Sequence, residues 1–150
     1  MVFGISLIFR GNCAECAAFY SDVFGVTPSA CYTFGDKRGM FGELPAAKEK
    51  YIFQAVLDIP GSPGLRLLMG DTPALLFTDE ADIKFGIATT QHVSIEISEV
   101  DAEIVRSMYG KLMSRGKANK ELHELPGGLL SGSLIDIYGI CWNINTVNAE

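Results

Sequence analysis

The feature that most constrains this chain is that one order of elements occurs in it twice. Residues 4–10 form an apolar run rich in Ile, Leu and Phe that reads as a strand, and Gly11-Asn12 breaks it. Cys16, Phe19, Tyr20, Val23 and Phe24 then recur at near-helical spacing, with Gly25 as a stop. Asn12, with Glu15 three places on, has the form of a capping box at the start of that helix. Strands fit 29–34, 51–59 and 65–69, with a glycine- and charge-rich loop over 35–50 and a Pro/Gly turn at 60–64. The first half therefore reads β-α-β-β-β.

The second half repeats it. Residues 92–97 alternate as a strand, with His92, Ser94 and Glu96 on one face and Val93, Ile95 and Ile97 on the other. Ser98 with Asp101 gives a second capping signal, and Ile104, Val105, Met108, Leu112 and Met113 form a helical stripe ended by Gly116. Gly110 within that helix costs about 1 kcal/mol relative to Ala. Strands at 118–125, 132–136 and 141–147 complete the copy. The expected fold class is α+β, with two βαβββ modules whose curled mixed sheets surround a cavity. Residues 1–71 and 92–150 are the modules of a single domain. Residues 72–91 are a linker without clear periodicity, expected to be partly mobile or to serve as a lid.

Composition narrows the function classes. With 150 residues, 48% apolar and 20% charged, the chain is long enough to bury a core and far from a disordered balance. A net charge of −6 without a basic cluster argues against nucleic acid and anionic membranes as partners. No apolar run approaches the roughly 20 residues of a membrane span, and 1–9 lack the features of a signal peptide, so the expected location is the cytoplasm. Cys13, Cys16, Cys31 and Cys141 are expected to be reduced, buried small hydrophobes. The chain has no G-x-S-x-G, Walker loop, dinucleotide G-x-G-x-x-G or H-E-x-x-H, and Asp79, Glu80 and Asp82 read as solvating the linker.

Three stretches carry a resemblance. Gly11-Asn12-Cys13, Ala17-Ala18-Phe19-Tyr20 and Val23-Phe24-Gly25 resemble the N-terminal signature of PhnB-like (demethylubiquinone-methyltransferase-like) proteins. These are a branch of the glyoxalase/bleomycin-resistance/extradiol-dioxygenase, or vicinal oxygen chelate, superfamily. Residues 67–71 (LLMGD) resemble the end of its first module, and 136–145 (DIYGICWNIN) its C-terminal strand. The resemblance implies a pocket, often completed in a homodimer, in which many members hold a divalent metal and others bind drugs without one.

Carried over by position, the implied metal ligands fall on Ile5, Gln54, His92 and Asn143, of which His92 alone is a strong donor. His92 and His123 are the chain's two histidines, so a two-His-one-carboxylate site would need His123 to face inward. The expected cofactor is none, with a divalent metal as the weaker alternative. His92, Gln54, Asn143 and Glu96 are the expected ligand-binding residues, polar groups in otherwise apolar strands. Trp142 on the opposite face, and Phe19, Tyr20, Phe24 and Tyr109 on the helices, read as core, whereas Tyr32, Phe34 and Phe53 fit either core or cavity wall. The leading functional expectation is a binder of a small aromatic or amphipathic molecule. The alternatives are a divergent metal-dependent lyase, isomerase or dioxygenase, and a non-catalytic dimer with a vestigial pocket, so whether the protein is an enzyme stays open.

Overall fold

The computed structural model describes residues 3–61, 65–77 and 94–148, which fall into two compact units divided between residues 85 and 86. In the first unit β1 (Phe3–Phe9) leads into α1 (Cys13–Phe24), followed by β2 (Ala30–Thr33), two one-turn helices α2 (Arg38–Phe41) and α3 (Ala46–Glu49), and strands β3 (Ile52–Asp58) and β4 (Leu65–Asp71). The second unit runs β5 (Ile95–Glu99), α4 (Ala102–Met113), β6 (Lys117–Glu124), β7 (Leu130–Ile135) and β8 (Cys141–Thr146). Each makes a four-stranded mixed sheet, β1-β4-β3-β2 and β5-β8-β7-β6, in which the first strand runs parallel to the last and the other pairings are antiparallel. The α+β duplication legible in the sequence is therefore the fold.

The two copies match down to individual hydrogen bonds. The residue after the last strand donates to the end of the first, Thr72 N to Phe9 O at 2.8 Å and Val147 N to Glu99 O at 2.9 Å. The final side chain of that last strand also accepts from the first residue of the third strand. Asp71 Oδ2 takes the Ile52 N–H at 2.9 Å, and Thr146 Oγ1 takes the Leu130 N–H at 2.6 Å. Both side chains are buried, so each settles a backbone donor that would otherwise be orphaned away from water.

Asp71 does more than Thr146. Its Oδ1 accepts from Gly11 N at 2.7 Å and Cys13 N at 3.0 Å, so it caps α1 from a point 58 residues along the chain. The expected capping box is corrected by this: Asn12 occupies the N-cap but makes no side-chain cap bond. A carboxylate at a helix start is favoured by the helix dipole and by two unsatisfied N–H groups, which a local amide would have served less well. At the second helix the cap is local. Asp101 Oδ1 accepts from Glu103 N at 2.8 Å, and Ser98, one half of the expected signal, takes no part.

One face of each sheet is covered by its helix. Leu7, Phe9, Ala55, Leu57, Leu67 and Met69 are buried with Cys13, Cys16, Tyr20, Val23 and Phe24 of α1, and α1 packs on β3 and β4. Val105, Tyr109 and Leu112 of α4 are buried with Leu134, Trp142 and Ile144, whose strands α4 contacts. Trp142 and helix residues Tyr20, Phe24 and Tyr109 are core, as the sequence implied. Gly25 closes α1 in the left-handed conformation at φ 64°, its N–H on Ser21 O. Gly116 has a different role from the expected helix stop: α4 ends at Met113, and a Cβ on Gly116 would lie 2.6 Å from Ile135 O, so the glycine permits close backbone approach. The expected loop over 35–50 contains the turns α2 and α3, and Cys31 is exposed rather than buried. Of the linker, 72–77 are described and include a 3₁₀ turn, Pro73–Leu76, capped by Thr72 and burying Leu75 and Leu76; 78–93 lie outside the described residues.

Candidate functional site

The face of each sheet turned away from its helix carries a recess. In β1 and β4 the alternation that buries Leu7 and Met69 sends Ser6, Ile8 and Leu68 the other way. With Gln54, Phe34 and Phe53 they line a recess of about 190 Å³. Its walls are mainly apolar. Phe34 and Phe53 stand edge to face with ring centres 5.7 Å apart, and Phe41 completes the cluster at 5.1 Å from Phe34 and 5.5 Å from Phe53. Phe34 is buried within this cluster, and Phe53 contributes to the wall. Asp71 reaches the same recess, but its oxygens are engaged by Gly11, Cys13 and Ile52 N–H groups.

The second module's recess has the same size and opposite chemistry. Cross-strand register sets Glu96 of β5 against Asn143 of β8, Asn143 against Ser133 of β7, and Ser133 against Lys120 of β6. A second row runs Ser98, Asn145, Ser131 and His123. Six of these eight side chains, all but Ser98 and His123, line a recess of about 190 Å³. Asn143 Nδ2 donates to Ser94 Oγ at 2.8 Å and Asn145 Nδ2 to Glu96 Oε1 at 3.4 Å, which leaves the amide oxygens as acceptors. On the other side of β8, Trp142 donates its indole N–H to Asp136 Oδ2 at 2.8 Å, while Asp136 Oδ1 holds the turn through Tyr138 and Ile140 N–H.

Of the residues expected to bind a ligand, Glu96 and Asn143 are brought side by side in register in the second recess. Gln54 lines the first recess instead. His92 lies outside the described residues. Asn145, Ser131, Ser133 and Lys120 were missed. The signal that could have found them is the period of two, which puts Asn145 and Asn143 on one face of β8 and Ser131 and Ser133 on one face of β7.

Electrostatics distinguish the buried groups from these. Burial, followed by the negative charge of Asp71 beside it, pushes the Cys13 thiol far above its ordinary range and keeps it protonated. Burial likewise raises the Tyr109 hydroxyl, which donates to Lys120 O at 3.2 Å.

Among the described residues the donors do not suit a metal of the kind the resemblance implied. Ile5 pairs with Leu67, on the side of the sheet covered by α1, and the other face of β1 offers Ser6 and Ile8. Leu68 and Gly70 stand there on β4; in the second unit, the face with the recess offers Asn143 and Asn145 of β8, Glu96 of β5, and His123 of β6 opposite Ser131. Zinc, iron and nickel sites call for several imidazole, carboxylate or thiolate ligands. Among the described residues no three His, Cys, Asp or Glu side chains group closely enough to hold an ion, and His123 Nδ1 lies 2.9 Å from the carbonyl of Glu121.

Comparison with known proteins places the architecture. No family model matches the chain, and no curated protein does. Among solved structures, protein PA1353 from Pseudomonas aeruginosa is similar over 99% of both chains with a TM-score of 0.76 and 23% identity. A PhnB protein from Bacillus cereus covers 98% of this chain and is itself covered over 100%, with a TM-score of 0.69 and 19% identity. A glyoxalase/bleomycin resistance protein/dioxygenase family enzyme from Burkholderia phytofirmans covers 96% of both chains, with a TM-score of 0.57 and 15% identity. Likenesses at these identities establish shared architecture, and activity has to be argued from the sites. The chain has the fold of the PhnB-like and glyoxalase/bleomycin-resistance proteins.

Proposed function

We propose that this protein is a PhnB-like member of that superfamily which binds a small aromatic or amphipathic molecule without a resident metal ion, in the cytoplasm and as a homodimer. The observation that carries the reading is the polar ladder Glu96–Asn143–Ser133–Lys120 on the open face of the second sheet. β8 and β7 are the inner strands of the sheet, paired on both sides, so the side chains of Asn143 and Ser133 offer hydrogen bonds outward from a recess. A few convergent polar groups in a concavity are the usual equipment of a small-molecule site. The first module's own recess, with Phe34, Phe53 and Gln54, is by itself suited to an aromatic or aliphatic group. Among the described residues no helix is long and apolar enough to cross a membrane.

Thermal shift against a library of aromatic and amphipathic metabolites and antibiotics tests the reading, with protein stripped of metal and then supplied with Ni²⁺, Mn²⁺, Zn²⁺ or Fe²⁺. The expected result is a compound that raises Tm without added metal, with the rise diminished in Glu96→Gln and Asn143→Ala. A ligand response that appears only when stoichiometric metal is bound would overturn the metal-independent reading. A library in which nothing raises Tm would overturn binding altogether. Light scattering that shows a monomer would remove the homodimer.

A further inference from the structure

The second recess points to the chemical class of what it takes, an inference that rests on the small-molecule reading above. The duplication supplies an internal comparison. Through the matched pairs Phe9/Glu99 and Asp71/Thr146, the positions in the first module equivalent to Asn143 and Asn145 are Leu68 and Gly70. By the register of the third strands on the fourth, the position equivalent to Ser133 is Val56. Leu68 and Val56 show that the scaffold accepts an apolar side chain at the positions of Asn143 and Ser133, whereas at Gly70 a Cβ would meet Phe53 O at 2.7 Å, so the fold does not impose the polar residues at the first two positions. Asn is also a poor strand former, yet β8 has it at two successive positions of one face. An ordinary solvated sheet face would suit Thr, Lys or Glu better.

The arrangement of charge and amide then selects among ligands. Glu96 and Lys120 stand at opposite ends of one ladder, three strand spacings or about 14 Å apart. The backbone positions between them carry amides and hydroxyls, and the nearest charge is Glu96 Oε1, 3.4 Å from Asn145 Nδ2 at one edge. Amides and hydroxyls both donate and accept, as does every hydroxyl of a polyol, so each can be satisfied by the other. Asn143 and Asn145 lie about 6.7 Å apart along the strand, a spacing suited to hydroxyls on opposite edges of a six-membered sugar ring. With its Nδ2 on Ser94, Asn143 leaves Oδ1 to accept from such a hydroxyl.

We propose that the open face of the second module recognises a neutral polyhydroxyl group, a monosaccharide ring or a cyclitol, through Asn143, Asn145, Ser131 and Ser133, with Glu96 accepting from hydroxyls at one edge. The group comes either as a free sugar or as the sugar of a glycoside with an aromatic aglycone.

Saturation-transfer NMR and titration calorimetry on the full chain test this with myo-inositol, methyl glycosides of glucose, galactose and mannose, the matching para-nitrophenyl glycosides, and para-nitrophenol. At least one polyol or glycoside is expected to bind, and Asn143→Ala or Asn145→Ala to weaken it at least about tenfold, the loss of one or two hydrogen bonds. Methyl and nitrophenyl glycosides of equal affinity would assign a free sugar, and nitrophenyl glycosides that bind more tightly than both methyl glycosides and nitrophenol would assign a conjugate. Nitrophenol that binds as tightly as its glycosides, unmoved by the Asn variants, would overturn the polyol site while leaving small-molecule binding in place. Binding by none of the probes, in protein that does take another compound from the library, would do the same. No binding by any compound ends both. Asn143→Leu, which removes the acceptor and places there the residue found at the equivalent position of the first module, replaces the alanine variant if melting shows that variant unfolded.

Discussion

Replacing Asp71 should be among the most damaging single changes in the first module, although Asp71 lies 58 residues from the helix start it caps. Its carboxylate accepts three N–H groups, from Gly11 at 2.7 Å, Cys13 at 3.0 Å and Ile52 at 2.9 Å. The Cys13 and Ile52 bonds are buried, whereas the Gly11 bond is partly open to water, which can replace the lost acceptor there. Each buried donor left unsatisfied costs about 1–3 kcal/mol, so Asp71→Ala should lose about 4 kcal/mol. That is a large part of the 5–15 kcal/mol typical of a domain. Asp71→Asn keeps one oxygen and turns an NH₂ toward one donor, and should lose about 2 kcal/mol. Asn12→Ala, the change that a local capping box would make costly, should lose less than about 0.5 kcal/mol because its side chain makes no cap bond. Urea unfolding followed by far-ultraviolet circular dichroism measures all three. An Asp71→Ala loss below about 1 kcal/mol, or an Asn12→Ala loss equal to it, would refute the argument that the carboxylate holds α1 and β3 together.

Other expectations follow from the packing. Because the folded Cys13 thiol is held above its ordinary range, its contribution to stability is complete below the unfolded thiol pKa, about 8.5, and is lost as pH rises beyond it. Wild-type unfolding free energy should fall more steeply between pH 8 and 10 than that of Cys13→Ala, by at most about 1.4 kcal/mol per pH unit; equal slopes would contradict this. In the native protein Cys31 should alkylate first and Cys13, Cys16 and Cys141 only on unfolding, as peptide mass mapping after brief iodoacetamide treatment would show. Gly116→Ala should cost about 1–3 kcal/mol, because its Cβ would press on Ile135 O at 2.6 Å and on Leu112 O at 3.0 Å; a neutral effect on thermal unfolding would show that β7 yields easily. Trp142→Phe should cost about 1–3 kcal/mol by removing the donor to buried Asp136 Oδ2, read by the same unfolding assay.

How far each feature was legible depended on the range of the interaction behind it. Strand and helix positions follow from periodicity within a few residues, and the boundaries of β3 and β8 came within two residues of expectation for that reason. The Asp101 cap was legible because its partner, Glu103 N, is two residues away. The Asn12 cap was misjudged because the local pattern was present while a distant carboxylate made the bond. Gly116 looked like a helix stop, and only its approach to β7 reveals why a side chain is excluded there. In the candidate site, Glu96 and Asn143 stood out as polar residues within strands, but Gln54 belongs to the other module's recess.

Taken alone, then, the order of amino acids determined a duplicated α+β chain, the faces of its helices and strands, and the scarcity of metal donors. These follow from spacing and side-chain chemistry, which need no knowledge of distant partners. Tertiary structure decided which residues share a surface. Pairing of β5 with β8, of β8 with β7 and of β7 with β6 aligned Glu96, Asn143, Ser133 and Lys120, although they span 96–143 in the chain. The physical reason is register: side chains meet across a sheet only once hydrogen bonding between strands has fixed which residue stands opposite which.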